Sequence, residues 1–116
     1  MGLEAAWNIR IGQMPAGPRN LISDVPGVTV GHCTLQDGET QTGVTAVLPH
    51  GGNLFQEKVL AASHVINGFG KSMGLIQIEE LGTIETPIVL TNTLSAGTAY
   101  TALVRYMLAQ NSDIGV

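Results

Sequence analysis

One cysteine, Cys33, stands in 116 residues, so no disulfide can form within the chain. That fits a reducing compartment, and a cytoplasmic location is the expectation. Charge is scarce too: Asp, Glu, Lys and Arg together make up 12%, about half the usual share. So little charge implies that other protein covers part of the surface. The basic residues Arg10, Arg19, Lys58, Lys71 and Arg105 are scattered. They form no stripe to neutralise phosphates, which argues against a nucleic-acid partner. No apolar run is long enough to span a bilayer. The N-terminus carries Glu4 where a signal peptide needs bases, and no apolar stretch follows it. Neither a membrane segment nor a secretory leader is expected.

Self-contained catalytic sets are missing as well. His32, Cys33, His50 and His64 are the soft ligands, and their spacing fits no zinc pattern. His32 and Cys33 are adjacent on an expected strand and would face opposite sides. No metal or other cofactor is expected. Cys33 has no basic neighbour and reads as a buried, inert thiol. There is no Gly-x-Ser-x-Gly elbow. Gly68-Phe69-Gly70-Lys71-Ser72 lacks the first glycine of a phosphate loop. Glu79 and Glu80 point apart on a helix.

What is present suffices for one domain. Hydrophobic residues make up 44% and mean hydropathy is +0.24, which excludes a disordered chain. A compact chain of this mass would show roughly 6,000 Å² of surface and bury about two thirds of the unfolded total. Val25-Pro26-Gly27 predicts a type II turn. Residues 28–35 and 42–48 predict antiparallel strands joined at Asp37-Gly38. Asn8–Ile11 alternates like a short strand. The run from Val59 to Ile66 fits helix or strand; a buried strand over Ala62–Ile66 is favoured because glycines follow. Ser72 is expected to cap a helix over Met73–Leu81, ended by Gly82. Pro87–Thr91 reads as a strand buried on both faces. Ser95 or Thr98 is expected to cap a helix running to about Gln110, with Ala99, Ala102, Leu103, Tyr106 and Met107 on its apolar face. The fold class is therefore α/β, with mostly antiparallel strands and two helices. Asp113-Ile114-Gly115-Val116 looks like the start of another strand. Residues 1–116 are thus expected to be a single partial domain, the N-terminal piece of a longer protein.

Two loops place an asparagine where a strand ends: Asn67, before Gly68-Phe69-Gly70, and Asn92, before Thr93. Ligands in α/β folds gather at strand ends, and amides there can hold a substrate or an oxyanion. Asn67, Asn92 and Thr93 are the candidate substrate-binding residues. The plainer reading is a left-handed turn at Asn67 and a loop tie at Asn92.

Residues Ile9-Arg10-Ile11-Gly12, Asn20–His32, Thr42-Gly43-Val44-Thr45, Asn67-Gly68-Phe69-Gly70 and Thr91-Asn92-Thr93 resemble, in this order, the N-terminal part of a known family. It is the self-cleaving L-aminopeptidase/D-amidase-esterase family, which includes the β-peptidyl aminopeptidases. The likeness spans about residues 7–116, and the segment Ile22–His32 is its most specific piece. Lys71 departs from the acid that many relatives carry after the Asn-Gly-x-Gly turn. The resemblance implies an αββα sandwich of four layers, similar to the N-terminal-nucleophile hydrolases. It implies a precursor that cuts itself before a serine or threonine, whose amine and hydroxyl then hydrolyse amides of short peptides. The family's nucleophile and its partners fall after Val116, so no catalytic residue is expected in this chain. The implied partners are the rest of the polypeptide, a small peptide or amide substrate and further copies of the subunit. An ornithine acetyltransferase-like acyl transferase and a non-catalytic α/β assembly module are the alternatives.

Overall fold

The computed structural model describes Trp7 and residues 10–115. Residues Asn8 and Ile9 of the expected first strand, and Val116, lie outside the described residues; Arg10 and Ile11 are not in a strand. The chain first crosses an irregular apron closed by Asp24. Its carboxylate accepts the Arg19 Nε–H at 2.8 Å, the Arg19 N–H at 2.9 Å and the Leu21 N–H at 3.2 Å. The Arg19 side chain, more than partial desolvation opposes it, holds the Asp24 carboxyl below the usual carboxylate range, with the two backbone N–H bonds adding to it.

The Val28 N–H then donates to the Val25 carbonyl at 3.1 Å, with Pro26 and Gly27 between. Gly27 has φ 87°, as position i+2 of a type II turn requires. Any Cβ there is strained, so Gly27→Val should cost about 1–2 kcal/mol. A urea-unfolding series checks this; a loss below a few tenths of a kcal/mol would remove the turn's role.

Strand β1, Thr29–Asp37, pairs antiparallel with β2, Thr40–Leu48, in a register from Thr29↔Leu48 to Asp37↔Thr40. The hairpin loop is Gly38-Glu39. It sits one residue later than a turn centred on Asp37-Gly38. The left-handed residue, Gly38 at φ 53°, thus takes the first loop position, as in the II′ class. β2 also pairs with β5, Ile88–Leu90, through Val47↔Ile88 and Thr45↔Leu90. A second ladder joins β3, Val59–Leu60, to β4, Thr83–Ile84. Between them runs helix α1, Leu75–Leu81, whose last turn closes with Gly82 N–H on the Ile78 carbonyl at 2.8 Å. After β5 comes a 3₁₀ turn, Thr93–Ser95, then helix α2, Ala96–Gln110. Every ladder is antiparallel. The expected mixed architecture, antiparallel strands with two helices among the described residues, is what forms.

Three expected elements differ. Residues 62–66 are not a strand: the ladder takes only Val59 and Leu60, and Ile66 is 90% exposed. β4 offers two residues to pair with, so the apolar run beyond has no neighbour to bond. Ser72 caps nothing; α1 starts at Leu75 from Gly74. β5 is an edge strand with Ile88 and Leu90 exposed and only Val89 turned inward, not a strand buried on both faces. On α2, Ala99, Leu103 and Met107 turn inward, while Ala102 and Tyr106 are exposed. Cys33 is exposed rather than buried, because nothing among the described residues covers that part of the hairpin.

The core is small. Val47 of β2, Leu54 of the following loop and Met107 of α2 are its buried hydrophobic side chains. The accessible surface is 9293 Å², well above the roughly 6,000 Å² of a compact chain of this mass. The radius of gyration, 16.1 Å, likewise exceeds the expected value of about 13 Å. The chain is open, and much apolar surface faces outward.

Candidate functional site

The end of β5 positions the first candidates. β2 lies beside it in the sheet, so the chain leaving Leu90 passes the Thr42 side of β2. Asn92 is extended (φ −68°, ψ 159°). Its Oδ1 accepts the Ser95 N–H at 3.0 Å, and its Nδ2 donates to Thr42 Oγ1 at 3.2 Å. Asn92 therefore caps the 3₁₀ turn and ties it to the neighbouring strand. The side chains expected as helix caps do not act: Ser95 sits at the N-cap position of α2 without a side-chain bond, and Thr98 lies in the first turn. Thr93 is exposed beside Leu94, which is 96% exposed.

Asn67 sits elsewhere, on the exposed loop between β3 and α1. Its backbone is not left-handed, since Asn20 alone among the described non-glycine residues has positive φ. Instead its Oδ1 accepts the Phe69 N–H at 3.2 Å, an Asx turn. Lys71 Nζ donates to the Phe69 carbonyl at 3.1 Å and lies 5.2 Å from the Phe69 ring centroid. Asn92 and Thr93 thus share one loop. Among the described residues, the Asn67 side chain bonds to its own loop and not to either of them.

Between these loops an open groove of about 340 Å³ runs over β4 and β5, flanked by α1 and α2. Leu75, Ile78, Val89 and Leu103 give it an apolar floor, Thr91 reaches it from the β5 end, and Lys71 stands at its border. Glu85 also lines it and pairs with Lys58 at 3.0 Å. Burial pushes the Glu85 carboxyl up, but the Lys58 and Gln77 hydrogen bonds and the Lys58 charge prevail and hold it below the usual range.

Two arrangements escaped the sequence. His32 Nδ1 lies 2.8 Å from Thr45 Oγ1, a hydroxyl beside an imidazole. Nothing orients the far side of this ring among the described residues, and His32 is exposed on the hairpin. The pair is a cross-strand brace rather than a nucleophile and base. The second centres on the buried Asn111: Asn53 Nδ2 donates to Asn111 Oδ1 at 2.7 Å, and Asn111 Nδ2 donates to the Met107 carbonyl at 3.0 Å. Both residues stand in loop-like sequence with no local signal, since the pair is 58 residues apart. Among the described residues, no group of three His, Cys, Asp or Glu could hold a metal ion. None of the described helices is long and apolar enough to cross a membrane.

Known proteins resemble this chain in sequence and fold. The family described as Peptidase family S58 matches residues 20–116. The chain is 37% identical over 100 residues to the β-peptidyl aminopeptidase BapA of Sphingosinicella microcystinivorans, covering 78% of this chain and 25% of that one. The crystal structure of the PH0078 protein from Pyrococcus horikoshii OT3 aligns with TM-score 0.88 and 54% identity, over 97% of this chain and 35% of that one. The L-aminopeptidase D-Ala-esterase/amidase of Ochrobactrum anthropi, a prototype for the serine aminopeptidases and a variant of the Ntn hydrolase fold, aligns with TM-score 0.72 and 37% identity. That match covers 85% of this chain and 30% of the other. The chain spans about a quarter of the length of the curated relatives it matches and about a third of the solved chains.

Proposed function

This chain belongs to peptidase family S58, and from that footing we propose that it is the scaffold part of an aminopeptidase or amidase. In this reading the complete protein hydrolyses N-terminal amide bonds of short peptides. It first cuts itself and frees a serine or threonine. The new terminal amine, with an unperturbed pKa of about 7.7–8.0, serves as the base for its own hydroxyl. That nucleophile comes from polypeptide beyond these 116 residues. The chain supplies sheet, cleft wall and apolar contacts to the remainder, and further copies complete a cytoplasmic oligomer. The observation that carries the reading is the family match from residue 20 to residue 116. The test is expression of the complete gene product. It should split into two fragments on a denaturing gel and release amines from α- and β-amino-acid amides. An uncut product that hydrolyses neither class would overturn the proposal.

Asn67, Asn92 and Thr93 are proposed to line the substrate cleft. The Asn92 carbonyl oxygen is committed to Ser95, but its Nδ2 carries a second proton beyond the one given to Thr42. Asn92→Ala in the complete enzyme should therefore lower kcat/KM about tenfold, roughly 1.4 kcal/mol of transition-state binding. Self-cleavage must be followed on the same variant, because a failed cut mimics a catalytic defect. Normal cleavage and kcat/KM beside a lowered melting temperature would leave Asn92 as a loop brace only.

A further inference from the structure

Asn67 is the asparagine of this sequence that glycine follows. The others precede Ile9, Leu21, Leu54, Thr93 and Ser112. Glycine leaves the following peptide nitrogen unhindered, so the side-chain carbonyl carbon can be attacked from the backbone. Around Asn67 the structure meets the other requirements. Asn67 and Gly68 are both exposed, in a loop without strand or helix, which leaves the backbone room to close a five-membered ring. A Cβ built on Gly68 meets nothing within 4 Å. The Asn67 Oδ1 accepts the Phe69 N–H at 3.2 Å. This bond draws electron density from Cγ. The Nδ2 group, which must leave, makes no hydrogen bond among the described residues.

We propose that Asn67 is a site of spontaneous deamidation. The Gly68 nitrogen loses its proton and bonds to Asn67 Cγ, the Cγ–Nδ2 bond breaks, and ammonia departs with the proton. Water then opens the succinimide at either carbonyl, leaving aspartate or isoaspartate. A neutral amide becomes a carboxylate four residues before Lys71, and isoaspartate adds one backbone carbon to the loop. The chemistry does not require the peptidase reading, in which Asn67 is also proposed to line the cleft. Asn111 supplies the contrast within the same molecule: it is 2% exposed, with its oxygen held by Asn53 and its nitrogen by Met107.

The test is ageing of the purified protein at neutral and mildly alkaline pH, followed by peptide mass mapping. The peptide containing Asn67 should gain about 1 Da, faster as pH rises, with isoaspartate detected at that position. The peptide containing Asn111 should stay unchanged over the same time. Gly68→Ala, for which the structure has open space, should slow the gain several-fold. An equal rate in Gly68→Ala, or a gain that maps to Asn111 and not to Asn67, would overturn the proposal.

Discussion

Gly43→Ala is expected to destabilise the β1–β2 hairpin by about 1–3 kcal/mol, the range for forcing extra atoms into filled space. Propensity alone predicts the opposite sign, because glycine inside a strand is worth roughly 0.5–1 kcal/mol less than alanine. Sterics decide here. A Cβ on Gly43 would sit 2.6 Å from the Cys33 carbonyl oxygen and 3.3 Å from Thr34 Cα. Both are backbone atoms, so relief requires the strands to part. Gly31 of β1, opposite Ala46, is the matched control, with nothing within 4 Å of its Cβ position. Gly31→Ala should be neutral or slightly stabilising. Urea-unfolding midpoints of the two variants measure the contrast. Equal midpoints would mean that the strands do not approach closely at Gly43.

The parts of this fold legible in the sequence are those fixed by near neighbours. Pro26-Gly27 forms its turn because φ is set by the residues themselves, and the Val28 N–H bond to Val25 follows. The two long strands and the final helix follow from their own periodicity. Where burial depends on distant chain, the reading fails. Pro87–Thr91 is apolar enough for a central strand, yet Leu90 is 59% exposed at the sheet edge. Ala62–Ile66 has the residues of a buried strand and no ladder to join. Cys33 alternates correctly with its neighbours, and the face it points to is uncovered. In each case the residue type states what cover it wants, while the described residues do not supply it. The same holds for the site. Asn92 becomes a candidate from its place at a strand end. That its amide is split between Ser95 and Thr42 depends on β2 lying alongside, which no local pattern shows.

Asn111→Ala should cost about 2–6 kcal/mol, from two groups each losing a hydrogen bond worth roughly 1–3 kcal/mol once unsatisfied. The Asn53 Nδ2 loses its acceptor and the Met107 carbonyl loses a donor. The loss reaches further than one helix end. Asn53 also organises its own loop: its Oδ1 accepts the Phe55 N–H at 3.1 Å and its carbonyl accepts the Glu57 N–H at 2.8 Å. His50 Nε2 donates to the Glu57 carbonyl at 2.7 Å while Nδ1 accepts the Gly52 N–H at 3.0 Å. The Asn53–Asn111 bond therefore clasps the connection after β2 to the C-terminal end of α2, next to the buried Leu54 and Met107. The helix that begins beside Asn92 is thus anchored at its far end by a side chain 58 residues from its partner. A double-mutant cycle separates the clasp from two independent caps. Asn53→Ala and Asn111→Ala together should cost less than their sum by about 1 kcal/mol or more, as for residues sharing one network. Additive losses, or an Asn111→Ala loss under about 0.5 kcal/mol, the size of an ordinary surface change, would mean that the loop and the helix end are held separately.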